Sequence, residues 1–205
     1  MRSFGGVICL ADAGARRHRE SHLRHRIAAD RGRDMNSLSD EAVRKIDREV
    51  AKYPDGGKRS AVIAALAIAQ DEHGWLPAEV MDDVARHLGL PAVAVYEVAT
   101  FYAMYNLKPT GRFKLTICTN LPCALQGATA AALHLKRKLG IGFGETTGDG
   151  KFTLKEGECF GACGDAPVVL VNNKRMASFM APAKLDLLLV ELSAAADRGE
   201  PPGRK

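Results

Sequence analysis

Residues 113–123 have the sequence FKLTICTNLPC, and residues 158–167 have the sequence ECFGACGDAP. These segments place four of the five cysteines in two close pairs, with the spacings C-x4-C and C-x3-C, and 35 residues separate the pairs. Each pair lies where a predicted strand ends in a loop that contains the turn formers Gly, Asn or Pro. If the two loops leave neighbouring strands, the four sulfur atoms can converge on one point.

The pattern around these segments predicts a two-layer α/β domain over residues 108–193. The predicted elements are a strand at 113–118, a helix at 124–139, a strand at 152–156, two hairpin strands at 168–171 and 175–179, and a helix that begins at Pro182. Asn172-Asn173 is expected to form the hairpin turn, and Leu133 and Leu139 are expected to face inward from the first helix. The order β-α-β followed by β-β-α is typical of helices packed on a sheet.

Residues 35–107 have helical periodicity and are predicted to form a small helical domain. Apolar residues recur every three or four positions, and Gly or Pro residues break the pattern at short intervals. Four helices are predicted: one from Ser39, one at 61–70 with Ser60 as its cap, one from Pro77, and one from Pro91 towards Tyr105. The predicted fold class is therefore α/β, with a helical bundle ahead of the sheet domain.

The composition excludes two classes of function. Hydrophobic residues make up 46% of the 205 residues and charged residues 26%, which is typical of a globular chain with a core. Most of the net charge of +5 comes from residues 1–34, which contain eight Arg and four acidic residues, so we expect no nucleic-acid binding. The longest purely apolar run, Ala61–Ala69, is about half the length of a bilayer span, so we expect no direct membrane insertion.

Both ends of the chain are expected to lie outside the folded domains. Residues 1–34 lack a sustained apolar period, and we expect them to be a disordered extension or the result of a misassigned start, with Met35 as the true first residue. Their four acidic residues argue against a mitochondrial transit peptide. Residues 194–205, which include Pro201 and Pro202, are expected to form a flexible tail.

The paired cysteines favour a metal site over other uses of cysteine. Disulfides do not fit a chain that is neither small nor cysteine-dense and has no apolar signal segment, and a redox dithiol requires C-x2-C. Four thiolates can hold a [2Fe–2S] cluster or a structural zinc ion, and the spacing favours the cluster because zinc pairs are most often separated by two residues. The candidate ligands are Cys118, Cys123, Cys159 and Cys163, while the fifth cysteine, Cys9, lies in the N-terminal extension.

A negatively charged cluster requires N–H donors around its sulfur atoms. The helix predicted from Ala124 follows the second cysteine directly, and we expect its N-terminus to point at the site. Gly161 and Gly164 are expected to let bare backbone approach the sulfur atoms without a clashing Cβ. Asp165 is a candidate acceptor for N–H groups of the same loop.

Three further motifs accompany the cysteine segments: KRSAV at 58–62, HGWL at 73–76 and EVATFY at 97–102. Together they resemble the [2Fe–2S] subunit of bacterial respiratory NADH:quinone oxidoreductase (complex I), the type known as the 24 kDa subunit in mitochondria. The resemblance runs from about Ser39 to Leu192 and implies a thioredoxin-like fold for the sheet domain, for which we hypothesise a cis Ala166–Pro167 bond. It implies one [2Fe–2S] cluster with four ligands: Cys118, Cys123, Cys159 and Cys163.

The resemblance further implies that the chain is an electron carrier within a larger oxidoreductase. An NADH- and FMN-binding partner subunit would exchange one electron at a time between its flavin and this chain's cluster, and a second iron–sulfur subunit would lie nearby. The chain would be peripheral, on the cytoplasmic side of the bacterial inner membrane. We expect no catalytic residue and no nucleotide site, since GIGFG at 140–144 lacks the spacing of a dinucleotide fingerprint.

Two alternative functions use the same four cysteines. The first is the equivalent diaphorase subunit of an NAD-dependent formate dehydrogenase or an NAD-reducing hydrogenase, because the cluster alone does not distinguish the parent complex. The second is a zinc-stapled assembly module without a redox role.

Overall fold

The computed structural model describes residues 37–199, in which a helical region precedes a sheet region. The helical region contains α1 (Asp40–Val50), a 3-10 turn (Gly57–Ala61), α2 (Val62–His73), α3 (Ala78–Leu88) and α4 (Ala92–Phe101). The sheet region contains β1 (Phe113–Cys118), α5 (Leu121–Leu125), α6 (Ala128–Leu139), β2 (Phe152–Gly157), a 3-10 turn (Cys163–Asp165), β3 (Val169–Val171), β4 (Arg175–Ala177) and α7 (Pro182–Asp197). The predicted extension, residues 1–34, lies outside the described residues, as do residues 200–205.

The helical region contains the four predicted helices, and its capping residues account for their ends. The Ser39 side chain caps α1 by accepting the N–H of Ala42 at 3.1 Å. Gly74 ends α2 with a φ of 79°, a left-handed conformation that glycine adopts without steric cost. The inward faces of the helices form one apolar core, whose largest fully buried side chains are Ile46, Leu66, Leu76, Leu88, Val62, Val80 and Val84. Within residues 37–199, no helix is both long and apolar enough to span a membrane.

Two details of the helical prediction were wrong. Ser60 lies inside the 3-10 turn and does not cap α2, which begins at Val62 without a side-chain cap. The last helix ends at Phe101, before Tyr105, because the chain becomes extended at Tyr102. Tyr105 is buried and donates a hydrogen bond from its hydroxyl to the Ile63 carbonyl at 2.7 Å, so tertiary contacts hold this segment outside the helix.

The four strands form one sheet in the order β2-β1-β3-β4, which confirms the predicted α/β class. β1 is parallel to β2, with Phe113 opposite Phe152 and Cys118 opposite Gly157, and it is antiparallel to β3. Asn172 and Asn173 have positive φ values of 51° and 57° in the three-residue β3–β4 loop, where the Lys174 N–H donates to the Val171 carbonyl at 3.0 Å, as expected for an asparagine turn in a hairpin. The face covered by helices α6 and α7 contains the second apolar core, which includes Leu115, Ile117, Leu135, Leu154, Leu185 and Leu188.

The helix predicted at 124–139 is in fact two helices, and the prediction of its buried face was wrong in part. Gly127, with a φ of 91°, separates α5 from α6. On α6, Leu135 is fully buried whereas Leu133 is 54% exposed, so the prediction that Leu133 faces inward was wrong. The same prediction for Leu139 is confirmed, because this side chain is partly buried and packs against the core. The inward stripe of α6 consists mainly of alanines, whose small size gave a weak hydrophobic signal. At the other end, α7 continues to Asp197, beyond Ala194, where the flexible tail was expected to begin.

The link between α4 and β1 joins the two regions through side-chain hydrogen bonds. The Met104 carbonyl accepts from Gln70 Nε2 on α2 at 3.1 Å and from Asn173 Nδ2 in the hairpin turn at 2.7 Å. Lys114 Nζ, on β1, donates to Asn106 Oδ1 at 2.7 Å. Lys114 is 3% exposed, and within residues 37–199 it has no carboxylate partner. Burial, and to a lesser extent the charge of Lys155, lowers the pKa of Lys114 to about 8.

We expect the stability of the protein to rise with pH because of Lys114. In the unfolded chain its pKa is about 10.4, so between pH 8 and 10 the unfolded state binds more protons than the folded state. The increase in the free energy of unfolding between pH 7.5 and 9.5 should be about 2 kcal/mol larger in the wild type than in Lys114→Met, measured by urea denaturation. Lys114→Met should remove this increment; cysteine titration affects both proteins equally. Equal pH dependence in the two proteins would contradict the prediction.

Candidate metal centre

The parallel pairing of β1 with β2 brings the four predicted cysteines to one edge of the sheet. Cys118 is the last residue of β1, and Cys123 lies in α5, directly after it. Cys159 follows the end of β2, and Cys163 begins the 3-10 turn before β3. Because parallel strands end at the same edge, both cysteine loops start side by side, as the sequence argument requires.

The four thiols form two close pairs that also influence each other. The Cys159 and Cys163 sulfur atoms are 3.6 Å apart, and Cys118 and Cys123 lie close enough for Cys118 to affect the ionisation of the Cys123 thiol. Cys118 and Cys123 are buried, while Cys159 and Cys163 are exposed. The chain therefore presents a sulfur cluster with one side in the protein interior and one side at the surface.

The thiols oppose one another's ionisation in the metal-free chain. Burial, followed by the hydrogen bond with Cys118, raises the pKa of the Cys123 thiol. The hydrogen bond with Cys159, followed by burial, raises the pKa of the Cys163 thiol, and the charge of Cys118 adds to it. Four adjacent thiolates require positive charge between them, and a metal centre supplies it. The donor set therefore fits a group that binds thiolates.

The pairing of the thiols bears on the type of metal group. In a four-cysteine [2Fe–2S] cluster, each of the two irons binds two thiolates. The two cysteine pairs of this chain could each supply the ligands of one iron. The residues present fit a two-iron cluster.

The N–H donors around the sulfur atoms differ in part from the prediction. The Gly161 N–H donates to Cys159 Sγ at 3.3 Å, and the Val168 backbone lowers the pKa of the Cys123 thiol, which partly offsets the effect of burial. The long helix begins at Ala128 and not at Ala124, so its N-terminus does not directly follow Cys123. Loop backbone, rather than the end of the long helix, supplies these N–H donors.

The second loop differs from the prediction at its glycines and at Asp165, and agrees with it at Pro167. A Cβ at position 161 or 164 would meet no protein atom within 4 Å, so the space around these positions does not require a glycine. At position 161 the backbone favours glycine, because its φ of +77° is left-handed. Asp165 accepts from the Ser178 hydroxyl at 2.9 Å rather than from a loop N–H, while its backbone carbonyl accepts the Phe179 N–H. The hypothesised cis Ala166–Pro167 bond is confirmed.

Sequence reasoning missed the residues that hold the two loops against each other. Thr119 and Asn120 of the first loop pair with Glu156 and Glu158 next to the second loop. Phe160 packs against the Cys118–Cys123 side and stands over Gly157. Their signal in the sequence is only proximity to the cysteines, because the register of β1 and β2 decides which of them meet.

The chain was compared with known families and proteins. The family model described as "Thioredoxin-like [2Fe-2S] ferredoxin" matches residues 46–193. The second E-type subunit of NADH-quinone oxidoreductase from Rhizobium meliloti (strain 1021) is 48% identical over 151 residues, which are 74% of this chain and 88% of that protein. The E-type subunit of NADH-quinone oxidoreductase from Rickettsia conorii (strain ATCC VR-613 / Malish 7) is 47% identical over 125 residues, which are 60% and 75% of the two chains.

A solved structure gives the same fold. The NAD+-reducing [NiFe]-hydrogenase in the air-oxidized state matches with a TM-score of 0.55 and 22% identity, over 63% of this chain. The chain spans 22% of the length of that hydrogenase chain, so this likeness concerns the fold alone. The family model runs from Ile46 in α1 to Ser193 in α7 and includes all four paired cysteines. The chain therefore belongs to the thioredoxin-like [2Fe–2S] ferredoxin family, and its cofactor is a [2Fe–2S] cluster.

Proposed function

We propose that this chain is the electron-transfer subunit of an NADH:quinone oxidoreductase of the complex I type, as its relatives are named. Its cluster ligands are Cys118, Cys123, Cys159 and Cys163. The observation that carries the proposal is the placement of these thiols, as two pairs, beside the ends of two parallel strands. The bound cluster takes up and releases one electron at a time.

The protein residues determine how that electron enters and leaves. The buried pair, Cys118 and Cys123, fixes the inner side of the site, and the Gly161 N–H and the Val168 backbone stabilise negative charge on sulfur. The exposed pair, Cys159 and Cys163, leaves the outer side open to a redox partner. No side chain needs to act as an acid, base or nucleophile in such a transfer.

The surface of α5 is suited to a protein partner. On this helix, which contains Cys123, Leu121 is 69% exposed and Leu125 is 77% exposed. Apolar side chains around a redox centre favour close docking that excludes water. The partner that fits the function is the NADH- and FMN-binding subunit, with a neighbouring iron–sulfur subunit in the same peripheral assembly on the cytoplasmic side of the bacterial inner membrane.

The second candidate is the equivalent diaphorase subunit of an NAD-reducing hydrogenase or an NAD-dependent formate dehydrogenase. The fold shared with the hydrogenase structure favours it. The complex I type is preferred because its relatives are 47–48% identical over most of their length, against 22% for the hydrogenase chain.

Electron paramagnetic resonance (EPR) spectroscopy of the anaerobically purified chain tests the cluster and the electron-transfer role. We expect a signal that appears only after reduction with dithionite, together with about two irons per chain. About one zinc per chain and no signal, even after cluster reconstitution, would support the zinc-stapled module instead. Co-purification with either candidate complex then identifies the parent enzyme.

A further inference from the structure

The two ligand loops are joined by hydrogen bonds that continue beyond the sheet. The parallel register of β1 and β2 ends with Cys118 opposite Gly157. The Thr119 N–H then donates to the Gly157 carbonyl at 3.1 Å, and the Thr119 hydroxyl donates to Glu156 Oε1 at 2.8 Å. One position further, Asn120 Nδ2 donates to Glu158 Oε2 at 2.9 Å. Side chains therefore extend the contact between the loops after backbone pairing stops.

The Asn120–Glu158 pair is the last of these links before the second set of ligands. Asn120 lies between the two cysteines of the first loop, and Glu158 directly precedes Cys159. Among residues 37–199, no backbone hydrogen bond joins Glu158 or Cys159 to the first loop. Cys159 is exposed, so core packing does not hold it in place.

We propose that Glu158 is a positioning residue for Cys159, acting through its hydrogen bond with Asn120. The bond holds the start of the second loop against the first, so that the Cys159 sulfur stays at the separation from the buried pair that a two-iron cluster requires. This inference rests on the proposed function, because it concerns the geometry of the bound cluster. The other contacts of this segment are the partly buried Phe160 ring and the Gly161 N–H, which donates to Cys159 Sγ at 3.3 Å within the same loop.

The test uses the full-length chain with its cluster bound and follows iron release to a chelator. Glu158→Ala and Asn120→Ala should each release iron about three- to fivefold faster than the wild type, the effect expected of one exposed charge-assisted contact. The double variant should release iron at about the rate of the single variants, because both remove the same bond. Glu158→Gln should bring the rate back most of the way to that of the wild type, since its amide oxygen still accepts from Asn120 but without the charge.

Two controls separate positioning from a general loss of stability. Glu191 lies on α7, and its exposed carboxylate accepts a hydrogen bond from Arg175, with 2.6 Å between Nη1 and Oε1. Glu191→Gln should leave iron release unchanged. The reduced EPR spectrum should broaden in the two alanine variants and return to the wild-type line shape in Glu158→Gln. The melting temperature of the cluster-free chain should not change in any of these variants.

Unchanged iron release in Glu158→Ala and Asn120→Ala would overturn the proposal. Additive effects in the double variant would also overturn it, because the two side chains would then act independently. If the wild type shows the reducible signal and the variants behave like it, only the positioning role fails. If the wild type itself holds no [2Fe–2S] cluster, the proposed function fails and this role fails with it.

Discussion

Replacing Cys159 with serine is expected to abolish the EPR signal that appears on reduction and to release most of the bound iron. A serine hydroxyl remains protonated at neutral pH and is a much weaker ligand than a thiolate. Cys159 is exposed, so the change creates no cavity in either core. The fold of the cluster-free chain should therefore survive, with an unchanged melting temperature by circular dichroism.

The matched control for this variant is Cys9→Ser, which makes the same substitution outside the two cysteine pairs. It should retain the full signal and the full iron content. A Cys159→Ser protein with a wild-type signal and about two irons per chain would show that this cysteine is not a ligand. That result would contradict the proposed ligand set while leaving the family assignment intact.

Gly157→Ala is expected to destabilise the protein and to impair cluster assembly together. A Cβ on Gly157 would lie 2.6 Å from Phe160 Cζ and 2.7 Å from Thr116 Cγ2, distances that no packed structure tolerates. Thr116 is buried in the middle of β1 and cannot move, so the Phe160 ring must move instead. Phe160 directly follows Cys159, and its displacement shifts this ligand.

The overpacking should cost about 1–3 kcal/mol of unfolding free energy and lower the iron content after reconstitution. Urea denaturation of the cluster-free chain and iron analysis of the reconstituted chain measure the two effects. Gly148→Ala is the control, because a Cβ there meets nothing within 4 Å and the backbone has no left-handed φ. Equal stability of the two variants would contradict the steric argument.

Local signals in the sequence predicted most of the secondary structure. β1 was predicted at its observed bounds because its apolar run and the turn formers after it are both local. The start of α1 at Ser39 and the asparagine turn of the hairpin follow from capping and turn chemistry in the same way. The prediction failed at Gly127, where a single glycine inside a helical pattern was compatible with either a continuous or a broken helix.

The sequence by itself determined the cysteine pairs, the element order and the family, because each depends on residue types at short spacing. Only the tertiary structure decided that Asn120 meets Glu158, 38 residues away, and that Phe160 covers Gly157. It also decided that the Met104 carbonyl receives donors from both regions. Such contacts depend on strand register and on the packing of separate elements, and no local pattern of residues encodes either.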